Sequence, residues 1–404
     1  MYQLVHDADY RSQRASVNGI ELGIFPGLNY SMLQNKILQG RTLTPKVTKG
    51  LIVTTPLNIA VLGAGLIGRQ HMLRIQASES CVLSAIVDPA PGARAVADEA
   101  GVVHFQTLAQ LLAEARPDGI IIGTPNAMHV DQALECLAAG VPALIEKPVA
   151  HTLEAGERLI AAVEGGRVPF LVGHHRAHSP IMALAREVVR SGRLGRLVAV
   201  TGTALFCKPD DYFTEAPWRT QPGAGPILIN MIHEIDNLRS LCGEITEVQA
   251  VVSNAARGFE VEDTAAISLR FDSGVLGTFL LSDTVASPRS WEQTSQENKA
   301  YSTYPDEDCY ILAGTMGSLA VPTMRLRSYA GQADRSWWKP FQTDMLDLQR
   351  KDPLAEQIEH FAAVIRGEAQ PLVSVRDGVQ NLRVVEAIRE AAREGRSVRV
   401  PLPA

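Results

Sequence analysis

Residues 57–68 read Leu-Asn-Ile-Ala-Val-Leu-Gly-Ala-Gly-Leu-Ile-Gly, and they predict the architecture of the first half of the chain. The apolar run at its start predicts a buried strand, and the helical period from Leu66 to Ala77 predicts a helix directly after the turn. Apolar runs alternate with helical periods up to residue 145, which indicates an α/β fold with a doubly wound, Rossmann-type parallel sheet. The other predicted strands are 82–87, 119–123 and 143–145, and the other helices are 93–100, 107–115 and 130–139.

The glycines of this stretch form the pattern G-x-G-x-x-G between a strand and a helix. Gly63 permits the tight turn, Gly65 lets the main chain approach a pyrophosphate, and Gly68 lets the helix pack on the strand. The helix that opens at Leu66 and Ile67 offers free N–H groups to phosphates. The pattern predicts a dinucleotide site; the alternative is a turn whose glycines serve packing alone.

Asp88 ends the next predicted strand, 20 residues after Gly68. This is the spacing expected of a carboxylate that binds the adenosine ribose. Its charge would repel a 2′-phosphate, and the nearest cation, Arg94, is predicted to lie on the following helix. NAD is therefore favoured over NADP as the cofactor.

Polar residues follow two further strands, at the edge where open α/β sheets bind ligands. They are Thr124, Pro125, Asn126 and His129 after one strand, and Glu146 and Lys147 after the other. A Lys at this edge can hold a substrate hydroxyl or relay its proton. The alternative is a surface Lys–Glu pair, which contributes little.

The second half of the chain predicts an α/β domain with a large, mostly antiparallel open sheet. Asp272-Ser-Gly274 and Gly314-Thr-Met-Gly317 are hairpin signals between apolar runs. The predicted strands are 197–206, 264–271, 275–281, 310–312 and 318–321, and the predicted helices are 226–241, 353–365 and 377–393.

Asn230 and His233 share one face of the helix predicted at 226–241, and Asp236 follows His233 at i, i+3. A His with a nearby carboxylate can be held in one tautomer and act as acid or base near neutral pH. The alternative is a buried His with structural hydrogen bonds.

Two further groups are candidates for ligand contact. His174 and His178 have i, i+4 spacing, but no carboxylate or Cys with ligand spacing accompanies them, so no metal site is predicted. The segment 283–304 is rich in Ser, Thr and aromatic residues, including Trp291, and can line or cover a pocket. The alternative is a solvated loop.

The composition limits the class of protein. Its 404 residues fit two or three domains, and 38 Lys and Arg against 44 Asp and Glu give a net charge of −6. That charge argues against a nucleic-acid or anionic-membrane surface, and no apolar run is long enough to span a bilayer. Five scattered Cys without a C-x-x-C pair favour reduced thiols and a cytoplasmic location.

Residues 1–55 lack a clear period and an apolar signal region. We predict an extension outside the fold, either loosely ordered or upstream sequence carried along by a misplaced start. The alternative is an arm docked across a subunit interface through the apolar residues between 20 and 33.

The chain resembles the Gfo/Idh/MocA oxidoreductases, which include glucose–fructose oxidoreductase and inositol dehydrogenase. The resemblance extends over about residues 56–400. The matching residues are Gly63 to Gly68, Asp88-Pro89, Thr124-Pro-Asn126 with His129, Glu146-Lys147-Pro148, Gly173-His-His-Arg176, Gly225 to Asp236, Glu262-Asp-Thr264, Gly314-Thr-Met-Gly317 and the helix from Pro353 to Gly367.

The resemblance implies an NAD-binding Rossmann domain at 56–175 and a substrate-binding and oligomerisation domain at 176–404. It implies that Lys147 and His233 are catalytic: they bind the reacting hydroxyl and move its proton while hydride passes to the nicotinamide. It places His175 and Arg176 at a strand end that faces the substrate pocket. The further candidates for substrate contact are Asn230 and Trp291.

The implied activity is NAD-dependent oxidation of a hydroxyl, or reduction of a carbonyl, in a sugar, a sugar derivative or a small cyclic alcohol. A homodimer or homotetramer is the implied assembly. Many members have an Asp four residues before the His, where this chain has Ile229, which favours a substrate with less to pair there. The alternatives are a dihydrodiol or hemiacetal dehydrogenase of the same family, or a non-catalytic dinucleotide-sensing regulator, which would need neither Lys147 nor His233.

Overall fold

The computed structural model describes the main chain of residues 15–17 and 20–22 and the complete residues 55–329 and 335–403. Ala15–Val17 and Ile20–Leu22 pair as two antiparallel strands. The remaining expectations for the predicted extension at 1–55 lie outside the described residues. From residue 55 onward, the described residues form two sheets and the helices that cover them.

The first sheet, the parallel sheet, has six strands that all run in the same direction, as the sequence predicts. Its central strands are buried almost throughout because helices cover both faces, which explains the continuous apolar runs. In spatial order the strands are Val103–Phe105, Cys81–Val87, Leu57–Leu62, Gly119–Ile122, Ala143–Glu146 and Phe170–Gly173.

Helices connect these strands; the first four lie close to the predicted bounds, and the fifth was not predicted. The structure has them at Leu66–Ala77, Ala93–Ala100, Leu108–Glu114, Asn126–Ala139 and Leu153–Val163. The first two agree with the prediction residue by residue. The fourth begins four residues before the predicted 130, because the buried position of its first turn is occupied by His129 and the apolar period starts only at Val130.

The second sheet, the open sheet, has nine strands. One neighbouring pair, Leu197–Leu205 with Leu276–Ser282, is parallel, and the other pairs are antiparallel, including both predicted hairpins. In spatial order the strands are Gln342–Met345, Arg325–Ser328, Gly317–Val321, Tyr310–Gly314, Leu197–Leu205, Leu276–Ser282, Thr264–Phe271, Ile245–Ser253 and Val398–Arg399.

One face of the open sheet is buried and the other is exposed. Along Thr264–Phe271 buried and exposed residues alternate, as expected of a sheet covered on one side. Its buried side shares a core with the helices Pro180–Arg190, Ile232–Cys242 and Val375–Glu394.

Two helical segments differ from the predictions made from the sequence. Ile227–Met231 is a single π-helical turn that precedes the helix Ile232–Cys242, where the sequence predicts one continuous helix. The helix Pro353–Ile365 returns to the parallel sheet, where Ile358 and Phe361 join its core. The shorter helices are His175–His178, Asp210–Thr214, Pro217–Thr220 and Trp291–Thr294.

None of the helices in the described part of the chain combines the length and the apolar character needed to cross a membrane.

Candidate active site

The glycine turn at the carboxyl end of Leu57–Leu62 is tightly constrained at two positions. Gly63 has a φ of +92°, and a Cβ there would lie 2.6 Å from the carbonyl oxygen of Gly123. A Cβ on Gly68 would lie 1.9 Å from the carbonyl oxygen of Gly63. The packing of turn, helix and strand therefore requires both glycines.

Gly65 has a different role, since a Cβ there would meet no atom of the described residues within 4 Å. It is the N-cap residue of Leu66–Ala77 and has no side chain to cap the first N–H groups of that helix. Those groups and the positive end of the helix dipole favour negative charge in the open space. Leu66 is exposed beside it and Ile67 is partly buried. The turn therefore fits the pyrophosphate of a dinucleotide.

Asp88 connects the glycine turn to the neighbouring strand. One of its carboxylate oxygens accepts the N–H of Ala64 at 2.7 Å, and the other accepts the N–H of Ala90 at 2.8 Å. A carboxylate has about four lone-pair sites, so each oxygen can accept a further hydrogen bond. Asp88 is only partly buried, so it can anchor the turn and bind ribose hydroxyls together.

The residues after the strand Gly119–Ile122 have mixed roles. Thr124 is partly buried and donates its hydroxyl to Gln132 at 2.6 Å, Pro125 is exposed, and Asn126 opens its helix. His129, predicted to contact the cofactor, is 1% exposed. Its ring nitrogens lie 2.9 Å from the carbonyl of Pro148 and 2.8 Å from that of Thr124. His129 therefore ties the loops behind the site together, which differs from the predicted contact.

Glu146 and Lys147 follow the strand at the same edge of the sheet but point to different partners. Glu146 is buried, and its carboxylate contacts Nε2 of His71 at 2.7 Å and accepts the main-chain N–H of Lys147 at 3.1 Å. The Lys147 ammonium donates to the carbonyl of Ile229 at 3.2 Å. Lys147 therefore crosses from the parallel sheet to the π-helical turn and is not half of a surface Lys–Glu pair.

The environment of Lys147 lowers its pKa, chiefly through burial. Burial lowers the pKa of Lys147, the carboxylate of Glu146 opposes this, and the positive charges of Arg176 and Lys208 lower it further. Burial also disfavours the Glu146 carboxylate, but the hydrogen bond and charge of His71, with Lys147, produce a net lowering of the Glu146 pKa. The site therefore holds a stable carboxylate beside an amine that releases its proton more readily than usual.

His233 lies one helical turn after Ile229, on the helix Ile232–Cys242. Its ring meets the ring of His175 edge-on, with centroids 5.0 Å apart. Burial, and then the positive charges of Lys147 and Arg176, lower the pKa of His233 well below its ordinary value. His233 is therefore a neutral imidazole near pH 7.

Asp236 does not hold His233 as the i, i+3 spacing suggests. Its carboxylate accepts a hydrogen bond from Asn381 Nδ2 at 2.8 Å, and the same amide nitrogen lies 3.2 Å from Nε2 of His174. His178 packs against His360, with ring centroids 5.0 Å apart. The three histidines therefore divide: the rings of His174 and His175 both meet the ring of His233 edge-on, with the His174 centroid 5.8 Å away, while His178 packs against the helix Pro353–Ile365.

Arg176 is one of the largest fully buried side chains, at 2% exposed. One guanidinium nitrogen donates to Glu234 at 2.6 Å and another donates to Glu292. The Tyr310 hydroxyl also contacts Glu234, and Asn237 donates to that hydroxyl at 3.0 Å. These five residues, Arg176, Glu234, Glu292, Tyr310 and Asn237, form the buried ion network.

Trp291 packs against this network. It is 3% exposed, and its indole N–H donates to Glu297 at 3.1 Å. The guanidinium of Arg176 lies 5.6 Å from the Trp291 ring. Arg176 and Trp291 were predicted to contact substrate, but both side chains are buried. Two guanidinium nitrogens of Arg176 and the indole N–H of Trp291 donate to carboxylates of the protein. They lie behind the site and support it.

Asn230 binds a lysine that the sequence did not single out. Its Oδ1 accepts from the Lys208 ammonium at 2.8 Å, and the same ammonium lies 3.1 Å from Asp283. Lys208 follows the end of the strand Leu197–Leu205, and that position at a strand end was the available signal. The structure therefore brings together Lys147, His175, His233, Asn230 and Lys208.

The family of the chain follows from two family models. The oxidoreductase family with an NAD-binding Rossmann fold matches residues 57–174, and the GFO/IDH/MocA C-terminal domain matches residues 182–320. Together the matches extend over more than half of the chain.

The chain belongs to the GFO/IDH/MocA oxidoreductase family. It is an NAD-binding oxidoreductase, and the predicted family, fold class and cofactor are confirmed.

Individual relatives are distant but match over most of their length. The 1,5-anhydro-D-fructose reductase of Ensifer adhaerens is 26% identical over 353 residues, which cover 84% of this chain and 97% of that protein. An inositol 2-dehydrogenase of Rhizobium meliloti is 24% identical over 343 residues, which cover 84% of this chain and 98% of that protein. The structure of the WlbA dehydrogenase from Bordetella pertussis, in complex with NADH and UDP-GlcNAcA, is 25% identical, with a TM-score of 0.68 over 86% of this chain and 100% of that one.

Proposed function

We propose that this GFO/IDH/MocA protein transfers hydride between NAD and a hydroxyl-bearing carbon of a sugar, a sugar derivative or a small cyclic polyol. The observation that carries the proposal is the contact of Lys147 Nζ with the Ile229 carbonyl at 3.2 Å, one helical turn before His233. This contact joins the edge of the parallel sheet at which the glycine turn lies to the π-helical turn that precedes the helix Ile232–Cys242. The relatives act on sugars or cyclic polyols by name, which supports the substrate class.

The cofactor is assigned to the turn Gly63 to Gly68, to Asp88, and to the strand ends at Thr124 to Asn126 and at Glu146 and Lys147. Bound nicotinamide supplies the acceptor or donor of the hydride. The chain's own residues bind the reacting hydroxyl, exclude water from it and move its proton.

In the oxidation direction, Lys147 takes the hydroxyl proton. Its pKa is lowered by burial, so a larger fraction is neutral near pH 7 than for an exposed lysine. His233 is the weaker base, because its pKa lies well below the ordinary value. His233 therefore orients the hydroxyl by a hydrogen bond. The main-chain carbonyl of Ile229 orients the lysine.

The direct test measures NAD reduction at 340 nm with a panel of sugars, cyclic polyols and cyclic diols. Lys147→Ala and Lys147→Arg should each lower kcat by at least ~10²-fold, because Arg cannot release its proton. NADH affinity, measured by calorimetry, should change little. Lys339→Ala, at an exposed lysine, is the matched control and should keep full turnover.

The pH profile sharpens the test. The rate of oxidation should rise as pH increases and level off as Lys147 loses its proton, with a midpoint below the ordinary value of 10.5. Full turnover in Lys147→Ala would refute the assignment of the proton to this residue. NADH binding without turnover of any substrate would instead favour a dinucleotide-sensing regulator.

We also propose that the protein is a cytoplasmic homodimer or homotetramer. The exposed face of the open sheet carries apolar side chains, with Val251 71% exposed, Leu276 53% and Leu280 41%. A second copy covering this face would remove that apolar surface from water. Light scattering that gives the mass of a single chain would contradict the assembly.

A further inference from the structure

A second positive group adjoins the proposed site next to Lys208. The guanidinium carbon of Arg219 lies 3.8 Å from the ring centroid of Tyr212, and the ammonium of Lys208 lies 5.0 Å from the same centroid. Lys208 also donates to Asn230, the residue next to the Ile229 carbonyl that holds Lys147. Arg219 and Lys208, a residue of the site, therefore both lie against the ring of Tyr212.

Two cations beside Arg219 already share the nearest buried carboxylate. Lys208 and Arg257 share the carboxylate of Asp283, each at 3.1 Å. The other carboxylate near Arg257 is that of Asp210, at 3.7 Å and fully exposed, where solvent weakens the attraction. Asp283 is therefore already paired with two cations, and neither of these ion pairs includes Arg219.

Arg219 has no carboxylate within 4.0 Å among the residues that the structure describes. Its Nη1 donates to the main-chain carbonyl of Tyr212, and its Nε is buried without a hydrogen-bond partner. The residue as a whole is only partly buried, so a ligand can reach it.

An unpaired guanidinium in a partly desolvated position binds anions strongly. Nη2 of Arg219, unlike Nε, is not buried and has no acceptor among the described residues, so an anion can accept a charge-assisted hydrogen bond from it. The planar fork of Arg suits the two oxygens of a carboxylate or a phosphate. Tyr212 holds the plane of the fork in place, which lowers the entropy lost on binding.

We propose that the substrate carries an anionic group, a carboxylate or a phosphate, and that Arg219 binds this group while the reacting hydroxyl lies at Lys147. Lys208 lies between the two ends and adds to the positive potential. The inference rests on the proposed function, because it assigns the substrate of that function to the class of acidic sugar derivatives.

The experiment measures binding to the NADH-loaded protein by calorimetry. The ligands are matched pairs of a sugar acid and its neutral parent, D-glucuronate with D-glucose and D-galacturonate with D-galactose, and a sugar phosphate, D-glucose 6-phosphate. At least one anion should bind at least ~10-fold more tightly than its parent, the scale of one charge-assisted hydrogen bond. The pairs and the phosphate separate the two sources of the anionic group.

Arg219→Gln should remove most of that preference and leave the affinity for the neutral parents unchanged. Arg327→Gln, on an edge-side strand of the open sheet, is the control and should keep the preference. Equal binding of every anion and its parent, or an unchanged preference in Arg219→Gln, would overturn the inference. The titrations measure binding and involve no turnover. If the Lys147 test fails but the preference for anions persists, the anion site is supported and only the proposed function is refuted.

Discussion

The two sides of the site are held by different kinds of interaction. On the cofactor side, main-chain groups and glycines shape the turn, and the side chain that completes it, Asp88, is 24 positions from its partner Ala64. On the substrate side, the buried ion network joins charged side chains that are 58 positions apart for Arg176 and Glu234, and 116 apart for Arg176 and Glu292.

This difference predicts how each side responds to change. A substitution in the glycine turn disrupts the turn by steric overlap, so its effect is confined to the atoms around the added side chain. A buried ion network fails through an unpaired charge, so removing one partner leaves the others without compensation. Substitutions on the substrate side should therefore act first on stability, and those on the cofactor side first on nucleotide binding.

The largest effect on stability is expected for Arg176→Met. The change leaves Glu234, 1% exposed, without its guanidinium partner. We expect a loss of about 3–5 kcal/mol in the free energy of unfolding, measured by urea denaturation. The control is Arg158→Met, which removes an ion pair with Asp131 whose side chains are 57% and 71% exposed, and should cost about 0–1 kcal/mol. Similar losses in both variants would show that the network is not held by its charges.

The next effect separates the two kinds of glycine. Gly68→Ala places a methyl group against the main chain of Gly63 and should cost ~1–3 kcal/mol or more, with loss of NADH binding. Gly65→Ala has open space for its methyl group and should unfold at the wild-type temperature while binding NADH less tightly. Thermal unfolding and calorimetry on both variants check this. If Gly65→Ala kept the wild-type NADH affinity, the pyrophosphate could not be assigned to the space beside Gly65.

The sequence predicts the cofactor side well because its signals are local. The strand Leu57–Leu62, the helix Leu66–Ala77 and the 20-residue spacing to Asp88 depend on residues close together in the chain. The parallel order of the strands then follows from their alternation with helices.

The substrate side is less predictable because burial and pairing there depend on the tertiary fold. The position of Arg176 at a strand end suggested substrate contact, yet Glu234 and Glu292 arrive from distant segments and enclose it. On the cofactor side, His129 was also placed wrongly by the sequence, although the two carbonyls that it faces are only 5 and 19 positions away. Lys208 was missed because Asn230 and Asp283, which give it a place in the site, lie far along the chain.

The smallest effect is a change in cofactor preference, and it tests whether Asp88 recognises the ribose or only anchors the turn. Asp88→Ser removes the charge that repels a 2′-phosphate and one acceptor for ribose hydroxyls, so the ratio of NADPH to NADH affinity should rise by about 10-fold. Asp88→Asn removes the charge but keeps an oxygen for the Ala64 N–H, which the carboxylate now accepts at 2.7 Å. If repulsion sets the preference, both variants should gain NADPH affinity, measured by calorimetry. If neither ratio changes while both proteins lose thermal stability, Asp88 serves the turn alone, and both sides of the site would then depend on carboxylates for their shape.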